Sequence, residues 1–145
     1  MHVFQRANAK WWQKPLVEVN GAALPAELAV LQLEKEDCED GVWINSRGTT
    51  SGVVALEQVA GKFKVVRRTL PNVVSKFLKE AYRSPSLARG CPDLVIWNTS
   101  SAKFRFVEVK CPLWDRPSKE QDEFMTYARL QGIAAEIVEW VFEKD

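Results

Sequence analysis

Apolar positions in this chain recur with two periods, and the switches between them divide it into elements. Leu24, Leu28 and Leu31 share one face of a helix over 24–37, with Pro25 tolerated in its first turn. After Gly41 the run VWINS reads as a strand. Residues 53–60 fit a short helix, and FKVVRR (63–68) fits a strand or an extended basic edge. Pro71 opens a helix through about Tyr82, striped by Val74, Phe77, Leu78 and Ala81. RSPSLARG (83–90) reads as a loop. Two apolar runs then flank NTSSAK as a hairpin should. Ser118 caps a helix through Leu130 that turns Phe124, Ala128 and Met125 inward. Gly132 stops it, and AEIVEWVF is a last strand. The second half is therefore strand, strand, helix, strand, a mixed sheet with helical cover. Residues 1–20, with Trp11, Trp12 and a short VEV, form an N-terminal extension without an assigned role.

The hairpin carries charge where a buried hairpin should not. With Trp97 facing Phe104 across the turn, Asp93 stands opposite Glu108. Side chains alternate with period two, so Asp93, Val95 and Trp97 share a face with Phe104, Phe106, Glu108 and Lys110. Leu94, Ile96, Val107 and Val109 fill the other face. Opposed residues have Cβ atoms roughly 4.5–5.5 Å apart, and like charges there destabilise. Lys110 supplies one compensating charge. A hard divalent cation such as Mg²⁺ would supply more, because it prefers carboxylate oxygens. A partly solvated ion-pair network is the plainer account of the same residues.

Composition narrows the chemistry. The chain has 145 residues, 46% of them apolar and 27% charged, which suits one domain with a real core. Its only histidine is His2, which excludes Ser-His-Asp and Cys-His catalysis and HxxxH zinc sites. No GxxxxGK[ST] or GxGxxG loop is present, so carboxylates and lysines must carry any catalysis. No apolar run approaches the ~18 residues that span a bilayer, and MHVFQRANAKWW lacks a signal-peptide core. Three cysteines without CxxC spacing fit a reducing, intracellular setting, cytoplasmic or nuclear. Cys91 and Cys111 flank the open end of the hairpin as reduced thiols. The net charge of +1 conceals an acidic EKEDCED (34–40) and a basic KFKVVRR (62–68).

Pro92-Asp93 followed by Glu108-Val109-Lys110 has the form of a PD-(D/E)xK signature. GCPDLVIWN, FRFVEVKCP, WDRPSKEQ and AEIVEW around it resemble the virus-type replication-repair nuclease (VRR-NUC) domain, and within that group the C-terminal domain of Fanconi-associated nucleases. The strong resemblance runs from about Thr69 to Phe142. It implies an α/β fold with a restriction-endonuclease-like core: a central mixed β-sheet flanked by helices, ordered α-β-β-β-α-β. A further helix is inserted before the catalytic hairpin, and residues 1–145 make one nuclease domain.

The resemblance also implies a metal-dependent deoxyribonuclease acting on structured DNA. By position, Asp93, Glu108 and the Val109 carbonyl would bind Mg²⁺ or Mn²⁺. Lys110 would orient or deprotonate the attacking water, and Gln121 would stand beside the site. A glutamate of the first helix belongs among the metal ligands as well; Glu27 fits best, and Glu34 lies on nearly the same face. Arg67, Arg68, Trp114, Arg116 and Lys119 are the candidate DNA contacts. The family usually has Gly after the lysine, where this chain has Cys111, and the loop CPLWDRPS is one residue longer than the usual form. A homodimer is left open. A silent nucleic-acid-binding module and a protein–protein interaction domain are the rival functions.

Overall fold

Buried apolar runs on both faces of one sheet set the architecture. The computed structural model describes residues 1–11, 14–44, 53–59 and 62–144, with backbone alone for Trp11, 53–59, 62–65 and Arg67. Along the chain come β1 (His2–Trp11), β2 (Lys14–Val19), β3 (Ala22–Leu24), α1 (Ala26–Glu34), β4 (Glu39–Ile44), β5 (Val53–Val59) and β6 (Lys62–Arg68). Then follow α2 (Asn72–Ala81), α3 (Pro85–Arg89), β7 (Leu94–Asn98), β8 (Phe104–Lys110), α4 (Lys119–Leu130) and β9 (Ala134–Phe142). The strands form one mixed sheet in the order β3-β2-β1-β9-β8-β7-β4-β5-β6. Strand β9 runs parallel to both β8 and β1, and the other pairings are antiparallel.

Each face of the β7–β8 hairpin meets a helical layer. Val95, Trp97 and Phe106 pack with Val74 and Leu78 of α2 and Phe124 of α4. Leu94, Ile96, Val107 and Val109 pack on the other side with Leu28 and Val30 of α1. This double burial explains why β7 (LVIWN) is nearly continuous in apolar residues, and why β8 (FRFVEVK) carries apolar residues on both of its faces. The face assignment expected from period two therefore holds residue by residue.

Helix α1 is buried almost all round, through Ala26, Leu28, Ala29, Val30 and Leu31. A helix apolar on every side needs enclosure. The sheet supplies it by curling until its end strands, β3 and β6, approach each other. Gly41 permits the fit of α1 on the sheet, since a Cβ there would stand 2.9 Å from the Val95 carbonyl oxygen and 3.0 Å from Leu31 Cδ1.

Several elements differ from the sequence expectation. Residues 53–59 are a strand, not a helix, because every residue from Val53 to Val59 pairs with β6 from Arg68 to Lys62. Helix formers such as Ala55, Leu56, Glu57 and Gln58 are overridden by that pairing. RSPSLARG contains helix α3, started by the Ser84 side chain accepting from the Leu87 amide with Pro85 in its first turn. Within the N-terminal extension, His2–Trp11 and Lys14–Val19 form β1 and β2, which extend the sheet beyond β9. Asn45 and Ser46 of VWINS lie outside the described residues. Among the described residues, no helix is long and apolar enough to cross a membrane.

Candidate active site

The charged end of the hairpin is built by strand register. Trp97 does pair with Phe104, and Leu94 with Val107, so the next step of the ladder brings Asp93 to Glu108. Asp93 is fixed there from two sides. Its carbonyl accepts from the Ile44 amide of β4 at 2.7 Å. Its Oδ2 accepts from the Val109 amide of β8 at 2.9 Å. In an extended strand a residue's amide and carbonyl point to the same side, so the Val109 carbonyl also faces Asp93.

Glu108 is only 1% exposed and Lys110 only 7%. The Lys110 ammonium lies 3.5 Å from Glu108 Oε1 and 3.3 Å from Asp115 Oδ1. Gln121 Nε2 donates to Glu108 Oε1 at 3.2 Å. The helix cap aims that amide: Ser118 Oγ accepts from the Gln121 amide, while Gln121 Oε1 accepts from the Ser118 amide at 2.8 Å. One capping box thus both starts α4 and directs Gln121 at the site. Ser118 is the helix cap that the sequence pattern indicates, but nothing in that pattern showed its hydrogen bonds with Gln121.

The remaining oxygen decides the chemistry. Glu108 Oε2 is buried with no hydrogen-bond partner. Burial foremost, then the charge and contact of Asp93, push the Glu108 carboxyl up to about 9, with Lys110 pulling the other way. Two ionised carboxylates offer only acceptors, so Asp93 and Glu108 can bond only by sharing a proton. A hard cation would satisfy both and supply the positive charge that burial withholds. Among the described residues, no group of three or more His, Cys, Asp and Glu side chains converges as metal ligands. The donor set that fits here is instead two carboxylates and the Val109 carbonyl.

Other expected residues fall in different places. Glu27 lies within electrostatic reach of Asp93, and its Oε1 is ion-paired to Lys14. Glu34 sits instead near His2 and Arg105. Trp114 is 57% exposed and leans on Trp140 and Phe142, at centroid distances of 5.7 and 6.2 Å. Arg116 and Lys119 are exposed on the loop and first turn leading to Gln121. Arg68 is not brought to the site. It is bonded to Asp40 at 2.8 Å and lies over Trp97, at the opposite end of the hairpin from Asp93. The side chain of Arg67 lies outside the description. Cys91 and Cys111 are buried on opposite faces of the sheet and are not joined by a disulfide; Cys91 Sγ accepts from the Tyr82 hydroxyl at 3.3 Å.

Lys14 and Asp115 were missed in the sequence. Asp115 was within reach of local reasoning, being five residues beyond Lys110 in the loop that follows it. Lys14 had no local signal, because only the topology brings β2 to α1. Gly90 was also missed. A Cβ there would stand 1.9 Å from the Glu120 carbonyl oxygen, so glycine lets the start of α4 close on the residues preceding Asp93. Gly90→Ala should lift that turn and cost roughly 3 kcal/mol, read as a lower Tm.

A hairpin end bearing Asp, Glu and Lys on a helix-covered mixed sheet defines the PD-(D/E)xK class of site. A family model described as the VRR-NUC domain matches residues 36–140, and the chain belongs to that family. It is 41% identical over 61 residues to Fanconi-associated nuclease 1 of Danio rerio, covering 42% of this chain and 6% of that protein. Among solved structures, paFAN1 bound to a 2-nt 5′ flap DNA with a gap is 22% identical, with a TM-score of 0.42 over 50% of this chain and 14% of the other. The same protein with a 1-nt flap gives 23% identity and a TM-score of 0.41, over 52% of this chain and 14% of that one. The chain thus spans a small part of the length of the relatives it matches.

Proposed function

We propose that this chain is a nuclease dependent on Mg²⁺ or Mn²⁺, hydrolysing phosphodiester bonds in structured DNA such as flaps, junctions or other branched intermediates. The observation that carries this proposal is the buried Glu108 carboxyl, its Oε2 without a hydrogen-bond partner, set against Asp93 and beside Lys110. Such a group calls for a compensating ligand, and perturbed buried acids of this kind cluster at functional sites. Membership in the VRR-NUC family supports it. The likeness to Fanconi-associated nuclease 1 over 61 residues supports the nuclease reading.

Asp93, Glu108 and the Val109 carbonyl would hold the cation. Bound there, it would offset the charge developing on the phosphoryl oxygens and acidify nearby water. Gln121 keeps Glu108 Oε1 in place through its 3.2 Å bond, and Asp115 steadies Lys110 from the outer side. Lys110 would orient or deprotonate the attacking water and stabilise the transition-state charge. Glu27 would be the acid of α1 at this site, within electrostatic reach of Asp93. Trp114 would stack on a base or sugar at the rim.

Incubating the chain with labelled flaps, four-way junctions and single strands, in Mg²⁺, Mn²⁺ or EDTA, tests this directly. Cleavage of branched DNA in either metal, absent in EDTA, is expected. Full cleavage in EDTA would refute it.

With a net charge of only +1, binding must come from local positive charge. Arg116 and Lys119 are the placed candidates. Arg116→Ala or Lys119→Ala should weaken binding similarly on unrelated sequences and flatten the salt slope by about 0.9 on duplex DNA. Arg68→Ala should leave the slope unchanged, since Asp40 already engages that side chain away from the site. Fluorescence anisotropy across a salt series measures both.

A further inference from the structure

Lys14 precedes the family match, which begins at residue 36, yet it reaches the catalytic end of the sheet. Its ammonium is ion-paired to Glu27 Oε1 and lies 5.5 Å from the centre of the Trp43 ring. Trp43 pairs with Leu94, and the next residue, Ile44, donates its amide to the Asp93 carbonyl. Lys14, Glu27 and Asp93 are therefore tied to one corner of the fold. Glu27 has only 12% of its side chain exposed, and its Oε2 is buried with no hydrogen-bond partner. A buried carboxylate in that position requires a positive partner. Burial raises its proton affinity, Lys14 opposes that effect, and Asp93 adds to it.

Two acids of the site thus each have an orphan oxygen, Glu108 and Glu27, but their surroundings differ. Glu108 shares its nearest ammonium, Lys110, with Asp115, and faces a second carboxylate. Glu27 holds the Lys14 ammonium in direct contact, with the ring of Trp43 as a second anchor for that charge.

We propose that Lys14 is a built-in cation of this site, occupying at Glu27 the place a second divalent ion would otherwise take. The chain then binds one divalent ion, where Asp93 and Glu108 meet, and this part rests on the cation-binding function proposed above. Lys14 contributes positive charge at a fixed position whether or not that ion is bound. It is a positioning residue, holding Glu27 away from the ion's coordination.

Isothermal titration of the whole chain with Mn²⁺ tests this without reference to activity. Lys14→Met keeps the apolar stem and removes the ammonium. It should bind one more Mn²⁺ per chain than wild type, and adding Glu27→Gln should abolish that extra ion. Equal stoichiometry and affinity in wild type and Lys14→Met overturn the proposal. Should Lys14→Met fail to fold, Glu27→Gln alone decides. It should keep the wild-type Mn²⁺ affinity within about twofold, whereas a loss of about tenfold or more would make Glu27 a ligand of the first ion and overturn the proposal. If wild type binds no Mn²⁺ but Lys14→Met binds one, the cation function of Asp93 and Glu108 fails while the role of Lys14 stands.

Discussion

Alanine at Asp93, Glu108 or Lys110 is expected to abolish DNA cleavage while the fold persists. The β7–β8 register sets Asp93 against Glu108, and the Lys110 ammonium lies 3.5 Å from Glu108 Oε1. Groups that act as one unit lose nearly the whole effect when any one is removed. The expected drop in kcat is about 10³-fold or more for each variant, by comparison with the loss of single preorganised charge-stabilising groups. Double variants should fall little further than single ones. Gln121→Ala should cost less, because Gln121 acts only by holding Glu108 Oε1. Single-turnover cleavage of a labelled 5′ flap measures these losses, with circular dichroism as the check on folding. Full activity in Glu108→Ala would remove the site from the chemistry altogether.

The hairpin was legible because two constraints agree on it. Apolar residues on both faces and a short polar turn mark the hairpin but leave its register to be supposed; Trp97 opposite Phe104, which brings the charges together at one end, is the observed one. Ser118 was legible as the start of α4, whereas Gln121 came only from the family resemblance of SKEQ, because nothing in local pattern aims it at Glu108. The N-terminal strands were legible in part and overlooked. VEVNGAAL carries an Asn-Gly pair between two short apolar runs, and Asn20 and Gly21 have φ of 50° and 82°, as a type I′ hairpin turn requires. β5 was hidden by its own composition, because Ala, Leu, Glu and Gln favour helix until β6 offers a ladder. Long-range neighbours were beyond local pattern. Nothing in KPLVEV announces Glu27, and nothing in Arg68 announces Asp40 at the far end of the hairpin. The choice between Glu27 and Glu34 needed the same information. Both are helix glutamates two turns apart, yet one end of α1 meets Asp93 and the other meets Arg105.

The second large effect is a pH-dependent stability set by Glu108. Its carboxyl is raised from 4.5 to about 9 in the folded chain. The folded protein therefore keeps a proton that the unfolded chain releases. Stability from this group is fully present below about pH 4.5 and is lost as pH rises through about 9. Glu108→Gln carries no charge to bury and retains an oxygen to accept from Gln121. The variant should flatten the fall in Tm between pH 5 and pH 8 and exceed the wild type at the upper end. Each 1 kcal/mol corresponds to roughly 4 °C for a domain near this length. Lys110 would still be paired with Asp115, so losing Glu108 as a partner does not strand its charge. A Glu108→Gln protein that melts lower than wild type at pH 8 would mean that Lys110 outweighs burial and Asp93.

The most direct test of a cation site, as against an ion-pair network, is the melting temperature of wild type and Asp93→Asn with and without Ca²⁺. Asn at 93 keeps an oxygen to accept from the Val109 amide and removes the charge facing Glu108. A cation site predicts that the metal-free Asp93→Asn protein melts higher than wild type. It also predicts that Ca²⁺ stabilises wild type, by about 2.7 kcal/mol at a hundredfold excess over Kd, and Asp93→Asn much less. If Asp93→Asn instead lowers the metal-free Tm, and Ca²⁺ leaves wild type unmoved, the charged end of the hairpin is an ion-pair network and not a catalytic centre.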